Sequence, residues 1–297
     1  MTHDSNETHE VWTPLRVLQW AVPYLKEKGV DSPRLDVECL LAKALQCDRL
    51  KVYLQYDRPL SRDELTLLHG WVARRAKREP LAYLLGEREF YGLPFEVNPS
   101  VLIPRPDSEL LVEKAVAALE ALPLEERMVL DLGTGSGCLA VAITHTVPGC
   151  RAWAVDISSQ ALETAKRNAE TNGVGERIQF RQGSWWAAIQ EMDPQRYPVI
   201  VSNPPYISEN EKADLDPEIL MFEPKIALFA ENEGLSDYEA IKIGLAEHLT
   251  KDGKAFIEMN SNIHSNIEAL WKDWPHDIYQ DINCLPRVLA LFINSFT

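Results

Sequence analysis

Val199-Ile200-Val201-Ser202-Asn203-Pro204-Pro205-Tyr206-Ile207 opens as a strand and closes as a turn. Val199 to Val201 are β-branched and apolar, as a strand covered on both faces requires. Pro204 and Pro205 lack a backbone N–H and fix φ, so neither a ladder nor a helix continues through them. The turn therefore holds backbone carbonyls and the Asn203 side chain at the carboxyl end of a strand, where open α/β sheets bind ligands. Asn203 offers an amide oxygen as acceptor and an NH2 as donor, and Tyr206 offers an aromatic face. Such a turn can grip a planar, NH2-bearing group. Alone, it reads equally well as a polar turn after a core strand.

Outward from this stretch, strands and helices alternate from residue 108 onward, the pattern of a parallel sheet covered by helices. Strands are expected at Met128–Leu132, at Ala152–Val155 ending in Asp156, at Ile178–Arg181, at Val199–Val201 and at Ala255–Glu258. Ile278–Ile282 and Val288–Ile293 are expected to close the sheet as an antiparallel pair. Helices are expected over Leu110–Leu122, from Leu139, over Leu162–Asn172 and over Ser236–Leu249. This is an α/β architecture.

Between the first strand and its helix lies Asp131-Leu132-Gly133-Thr134-Gly135-Ser136-Gly137. Glycines at such a turn let a ligand approach backbone N–H groups, and Asp156 follows about 20 residues on, where an acidic side chain can hold a ribose diol. Dehydrogenases carry a related pattern. Two details favour S-adenosylmethionine over a dinucleotide. Asp131 would repel a pyrophosphate but could receive the ammonium of a methionine moiety. The Asn203-Pro204-Pro205-Tyr206 turn, in addition, serves no purpose in hydride transfer. The reading is a methyltransferase.

Upstream, the first 12 residues are polar and expected to fray, and Met1–Glu10 does not read as a signal peptide. Thr13-Pro14 starts a helix with Leu15, Leu18, Val22 and Leu25 on one face. Ser32-Pro33 starts a second, with Leu40, Leu41, Ala44 and Leu45, and an apolar turn follows around Leu50–Leu54. Ser61-x-x-Glu64 is a capping box ahead of Leu65, Leu68 and Trp71. The basic run Arg74-Arg75-Ala76-Lys77-Arg78 reads as a solvated last turn complementing the helix dipole. Together these form a small helical domain over residues 10–80. Glu89–Val97 is expected to be a hairpin around Gly92-Leu93-Pro94, and prolines 94, 99, 104 and 106 stiffen a connector over residues 81–107. The sheet domain then occupies residues 108–297.

A net charge of −15 suits a phosphate backbone poorly, although a local basic groove remains open to it. The five cysteines (Cys39, Cys47, Cys138, Cys150, Cys284) form no CxxC pair and no zinc spacing, so they read as small core residues of a reducing compartment and no metal is expected. A cytoplasmic location is expected.

The sequence resembles the bacterial peptide chain release factor N5-glutamine methyltransferases from about Pro14 to Ile293. The stretches that carry the resemblance are Pro80 to Phe90, Leu102-Ile103-Pro104-Arg105-Pro106-Asp107-Ser108-Glu109, Asp131 to Gly137, Ser202 to Ile207, and Glu223-Pro224-Lys225-Ile226-Ala227-Leu228. Asn-Pro-Pro-Tyr alone is shared with adenine-N6 methyltransferases; the Ile-Pro-Arg-Pro stretch and the helical N-terminus are more selective. The resemblance implies a seven-stranded, Rossmann-like class I methyltransferase domain, preceded by a small all-helical domain and a β-hairpin linker. It also implies S-adenosylmethionine as donor, S-adenosylhomocysteine as product, and the glutamine of the Gly-Gly-Gln loop of release factors as acceptor. By the same resemblance Gly133, Thr134, Gly135, Ser136 and Gly137 line the methionine and ribose part, Asp156 binds the ribose hydroxyls and Trp185 lies by the adenine. Asn203 touches cofactor and substrate, and Pro204, Pro205 and Tyr206 hold the substrate glutamine. Three positions depart from the family pattern. Ser184 replaces an acidic residue, Glu258-Met259-Asn260 replaces a Glu-Ile-Gly type of stretch, and Cys284 replaces a glycine.

An amide nitrogen is a poor nucleophile because its lone pair is delocalised into the carbonyl. The Asn203 oxygen and the Pro204 carbonyl are expected to accept its two N–H bonds and aim it at the methyl group. The seven histidines show no partner that would make one a general base. The rival readings are a glutamine methyltransferase of a ribosomal protein, an adenine-N6 nucleic-acid methyltransferase and a non-catalytic binding module. The N-terminal helices and Ile103–Pro106 argue against the first. The charge and the lack of a target-recognition domain argue against the second. Only Asn260 and Cys284 suggest the third.

Overall fold

Thr13 and Pro14 start the first helix as the sequence predicts: Thr13 Oγ1 accepts from the Arg16 N–H at 3.4 Å, and α1 runs Pro14–Glu27. The computed structural model describes residues 11–189 and 196–293, so of the expected frayed start, residues 1–12, the first ten lie outside the described residues. Trp12, the last of the residues expected to fray, is instead pinned: its carbonyl accepts from Leu60 N at 2.9 Å and its ring meets Trp20 edge-on. The chain divides into two units, Met1–Leu85 and Gly86–Thr297.

In the first unit α1 is followed by α2 (Pro33–Ala44), α3 (Arg49–Tyr53), α4 (Arg62–Arg75) and α5 (Leu81–Leu85). The core stripe of α1 is Val17, Leu18, Ala21 and Leu25. Of the two others expected on that face, Leu15 is exposed and Val22 is half-buried, since the buried stripe follows the 17–21–25 line. The single turn of α3 offers one inward position, Val52, and leaves Leu50 and Leu54 exposed. The capping box at Ser61 forms in both directions, Glu64 N to Ser61 Oγ at 3.2 Å and Ser61 N to Glu64 Oε2 at 2.7 Å. The basic run is not wholly solvated. Arg75 is buried and its Nε donates to buried Asp36 at 2.6 Å, while Arg74 pairs with Glu79.

The second unit opens on a hairpin of β1 (Glu87–Phe90) and β2 (Leu93–Glu96). Its turn is Tyr91-Gly92, both at positive φ (53° and 72°), as a two-residue hairpin loop demands. The turn thus sits earlier than Gly-Leu-Pro, and Pro94 lies within β2 opposite Glu89, tolerated on a two-stranded ribbon.

Then follow α6 (Glu109–Glu120), β3 (Met128–Leu132), α7 (Cys138–Thr146), β4 (Arg151–Asp156), α8 (Ser159–Thr171), β5 (Ile178–Gln182), β6 (Tyr197–Ser202) and α9 (Pro217–Phe222). The unit ends with α10 (Ser236–His248), β7 (Leu249–Glu258), α11 (His264–Leu270), β8 (His276–Gln280) and β9 (Pro286–Phe292). One seven-stranded sheet forms in the order β5-β4-β3-β6-β7-β9-β8, parallel from β5 to β7 with β9 and β8 antiparallel. Every residue of β6 is buried, as the opening stretch requires. Side chains alternate between two cores: Val129, Val199, Val201 and Phe256 on one face, Leu130, Leu132, Ile200 and Ile257 on the other. β8 ends before Ile282, which is fully exposed in a turn tied by Asp281. Cys284, expected in the core, is exposed there at φ 60°.

Chain order reverses between β3 and β6, so a crevice opens beyond their carboxyl ends. Register sharpens this. Leu132 pairs with Val155 on one side and Ser202 on the other, and Ser202 pairs with Ile257. The next residue along each chain falls in one row at this edge of the sheet: Gly133, Asp156, Asn203 and Glu258.

Candidate active site

The glycine turn hangs from the end of β4. Gly133 N and Thr134 N both donate to the Val155 carbonyl, at 2.9 and 2.8 Å. Gly133, Gly135 and Gly137 all take positive φ (76°, 55° and 81°), which a β-carbon would strain. At Gly137 that β-carbon would also come within 3.0 Å of Ala165, so glycine there lets α7 and α8 close together. At Gly135 it would meet no protein atom within 4 Å and would project into open space.

That space is part of a cavity of about 310 Å³ in the crevice, a size suited to a small-molecule cofactor. Gly133, Thr134, Gly135 and Ser136 line one wall, and Asp156, Trp185, Asn203 and Pro205 line others. Asp156 Oδ2 accepts from Gly135 N at 2.8 Å and Oδ1 from Ser158 N at 2.9 Å. Each oxygen keeps a lone pair for a ligand hydroxyl. Burial raises the Asp156 carboxyl above its usual range in spite of these bonds. The Trp185 ring packs over Gly133, and Asp237, its carboxyl raised by burial, accepts a bond from that indole. Ser184 lines the same wall, uncharged.

Asp131 is placed otherwise than expected. It is fully buried and does not line the cavity; it sits beneath the turn, where Oδ2 accepts from Thr134 Oγ1 at 2.6 Å and Ala140 N at 3.3 Å. It holds the turn from behind. Burial pushes its pKa up to about 7, and its Oδ1 has no partner among the described residues. Gly137, at the head of α7, also stands back from the cavity.

Of the Asn-Pro-Pro-Tyr turn, Asn203 and Pro205 reach the cavity, whereas Pro204 is buried and Tyr206 packs against the core of Tyr238 and Met259. The turn is clamped at both ends. Ser202 Oγ donates to the Leu132 carbonyl at 2.7 Å, Ile207 N donates to the Leu228 carbonyl at 3.0 Å, and Ala230 N donates to the Ile207 carbonyl at 2.9 Å. Asn203 Nδ2 donates to Ser108 Oγ at 3.2 Å, and Ser108 Oγ donates to Glu258 Oε2 at 2.5 Å. The Asn203 carbonyl oxygen is left without a protein partner among the described residues, an acceptor beside the cavity.

Sequence reasoning missed four of these groups. Ser108 was legible only as a helix cap, and Glu258 only as a strand end. Arg105 and Glu223 pair directly, and Glu223 Oε2 also accepts from Ile103 N at 3.2 Å. That joins the Ile-Pro-Arg-Pro and Glu-Pro-Lys stretches, which sequence reading quoted only for the resemblance. The signal available was that two chemistry-bearing segments far apart in the chain each carried an ionisable residue of opposite sign.

A PrmC N-terminal domain model matches residues 16–86, and a methyltransferase small domain model matches residues 107–222. The release factor glutamine methyltransferase of Geobacter sulfurreducens is 44% identical over 253 residues, 85% of this chain and 86% of that protein. That of Chlorobaculum tepidum is 37% identical over 287 residues, 95% and 97% of the two. Among solved structures, the hMettl16 catalytic domain superposes with a TM-score of 0.54 at 19% identity, over 76% of this chain and 83% of that one, a likeness of fold alone.

Proposed function

The chain belongs to the release factor glutamine methyltransferases, and from that membership we propose that it methylates the side-chain amide nitrogen (N5) of the glutamine in the Gly-Gly-Gln motif of peptide chain release factors, with S-adenosylmethionine as donor. The observation that carries the reading is the Asn203 carbonyl oxygen, unpartnered on the wall of a glycine-turn cavity.

The residues present fit this cofactor. Gly135 leaves open the volume a β-carbon would fill, Asp156 keeps lone pairs for a ribose diol, and the Trp185 ring offers a face for the adenine. When bound, the cofactor supplies an electrophilic methyl on a sulfonium.

The protein's own part is orientation. Asn203 Oδ1 and the Pro204 carbonyl accept the two amide N–H bonds of the substrate glutamine. That raises electron density on nitrogen and points its lone pair along the line of attack. Pro205 bounds the space the glutamine enters, and Tyr206 backs the turn from the core side. The nitrogen sheds its proton after transfer, when it is acidic, so no buried base is required. The helices of the first unit are assigned to recognition of the protein substrate.

Transfer of a labelled methyl to release factor, ribosomal protein and DNA, offered side by side, tests the reading. Label on the release factor glutamine alone is expected. Label on DNA or on a ribosomal protein, with none on release factor, would overturn it.

A further inference from the structure

Ser108 stands at the N-cap of α6 yet makes no capping bond. A cap hydroxyl ordinarily accepts from a backbone N–H two or three residues on. Here the hydroxyl is directed away from the helix, between Asn203 Nδ2 at 3.2 Å and Glu258 Oε2 at 2.5 Å. Ser108 and Glu258 are both buried, at 2% and 3% exposure, so neither bond is shared with bulk water.

We propose that Ser108 and Glu258 are positioning residues that fix which way round the Asn203 amide faces. The inference rests on the glutamine-methylation reading and adds to it the source of the orientation that reading requires. The argument is one of direction. An ionised carboxylate accepts only, so Ser108 must donate its single proton to Glu258. The serine oxygen can then only accept from Asn203, which turns the Asn203 NH2 inward and its carbonyl oxygen toward the cavity. Were the chain reversed, the serine proton would draw the Asn203 oxygen inward and present an NH2 to the substrate NH2, donor against donor. An amide has nearly the same shape both ways round, so packing alone does not choose between them. The hydrogen-bond chain does.

Glu258 comes from the end of β7, in the same row as Asn203, and charged or titratable groups face it from several elements. These are Arg105 and Asp107 from the segment before α6, Arg287 from β9, Tyr206, Tyr238 of α10 and Cys138 of α7. Burial, above all, pushes the Glu258 pKa up to about 7. Protonation gives Glu258 a donor of its own and lets the chain run backwards, so transfer should slow as pH falls through that region.

Single-turnover methyl transfer to release factor in the full chain tests this, with cofactor and release factor affinities measured alongside. Ser108→Ala should slow transfer by about tenfold or more with both affinities within about threefold, and Ser108→Thr, which restores the hydroxyl, should recover most of the rate. Glu258→Gln, which can donate as well as accept, should be slowed similarly and should lose the acid-side fall. Asp131, whose pKa is also about 7, is common to both proteins and drops out of the difference. If Ser108→Ala fails to fold, Glu258→Gln against wild type decides the matter. Ser108→Ala at the wild-type rate, or Glu258→Gln with the wild-type rate and pH profile, would overturn the proposal. Wild type transferring no methyl to release factor would instead overturn the reading beneath it.

Discussion

Asp156 ends one buried strand and Asn203 sits one residue beyond another, and those positions make their chemistry predictable. Asp156→Ala removes an acceptor for the cofactor and also frees Gly135 N and Ser158 N. Cofactor affinity should fall by roughly 1.5–3 kcal/mol, about ten- to a hundredfold. Calorimetry on a folded variant showing unchanged affinity would contradict the placement. Asn203 was legible in the sequence because a buried strand followed by a proline turn marks its own carboxyl end, and Asp156 because it closes the strand about 20 residues after the glycine turn. Ser108 and Glu258 were not. They lie 95 and 55 residues from Asn203 and touch it, directly or in relay, only because α6 and β7 pack beside β6. Asp131 was read in the right place with the wrong outlook. Sequence shows which residue precedes a turn, but whether its side chain faces the ligand or the underside of the turn depends on the pleat.

At the scale of elements, the strands of the sheet were foreseen to within about two residues at each end except β7, which begins at Leu249 rather than Ala255; β6 was the plainest, because a buried parallel strand reads as a continuous β-branched run. Where the sequence reading failed, competing local geometry decided. The hairpin turns at Tyr91-Gly92 because a two-residue loop needs two positive φ values, and glycine supplies one. The last turn of α4 is held by the buried Asp36–Arg75 pair rather than by solvent. Asp36→Ala takes the carboxylate from a buried Arg75 that keeps the Glu79 carbonyl, so it should cost about 3 kcal/mol, the low end for breaking a buried pair, read from denaturant unfolding of the full chain. Replacing both residues with apolar ones of similar volume should cost far less. A mild effect of Asp36→Ala alone would show that Arg75 finds water.

For the whole molecule, the two buried carboxyls beneath the cavity shape stability as well as chemistry. Asp131 and Glu258 have pKa values raised from 3.8 and 4.5 to about 7. A raised carboxyl pKa means the folded state holds its proton more tightly than the unfolded chain, which favours folding at low pH. That contribution fades as pH climbs from about 4 to about 7. The lowered carboxyls Glu64, Glu96 and Asp281 act in the opposite sense, but they are fully ionised in both states above about pH 6. The ligand-free protein should therefore melt higher at pH 6 than at pH 8, and Asp131→Asn or Glu258→Gln should narrow the gap. An equal gap in both variants would contradict the burial argument. At the same scale, removing Met1–Leu85 should lower kcat/KM for release factor by more than about tenfold while cofactor affinity stays within a few-fold. Unchanged transfer by a folded Gly86–Thr297 fragment would refute the assignment of recognition to the helices.

The central claim is that Asn203 orients the substrate amide, and Asn203→Ala tests it most directly. The substitution deletes the acceptor at a half-buried position and leaves the Ser202 and Ile207 clamps of the turn in place. Single-turnover transfer at saturating release factor and cofactor should fall by about 10²-fold or more, the effect of losing one preorganised catalytic group. Binding of both partners should stay within a few-fold. Near-normal single-turnover transfer by a folded Asn203→Ala protein would contradict the mechanism.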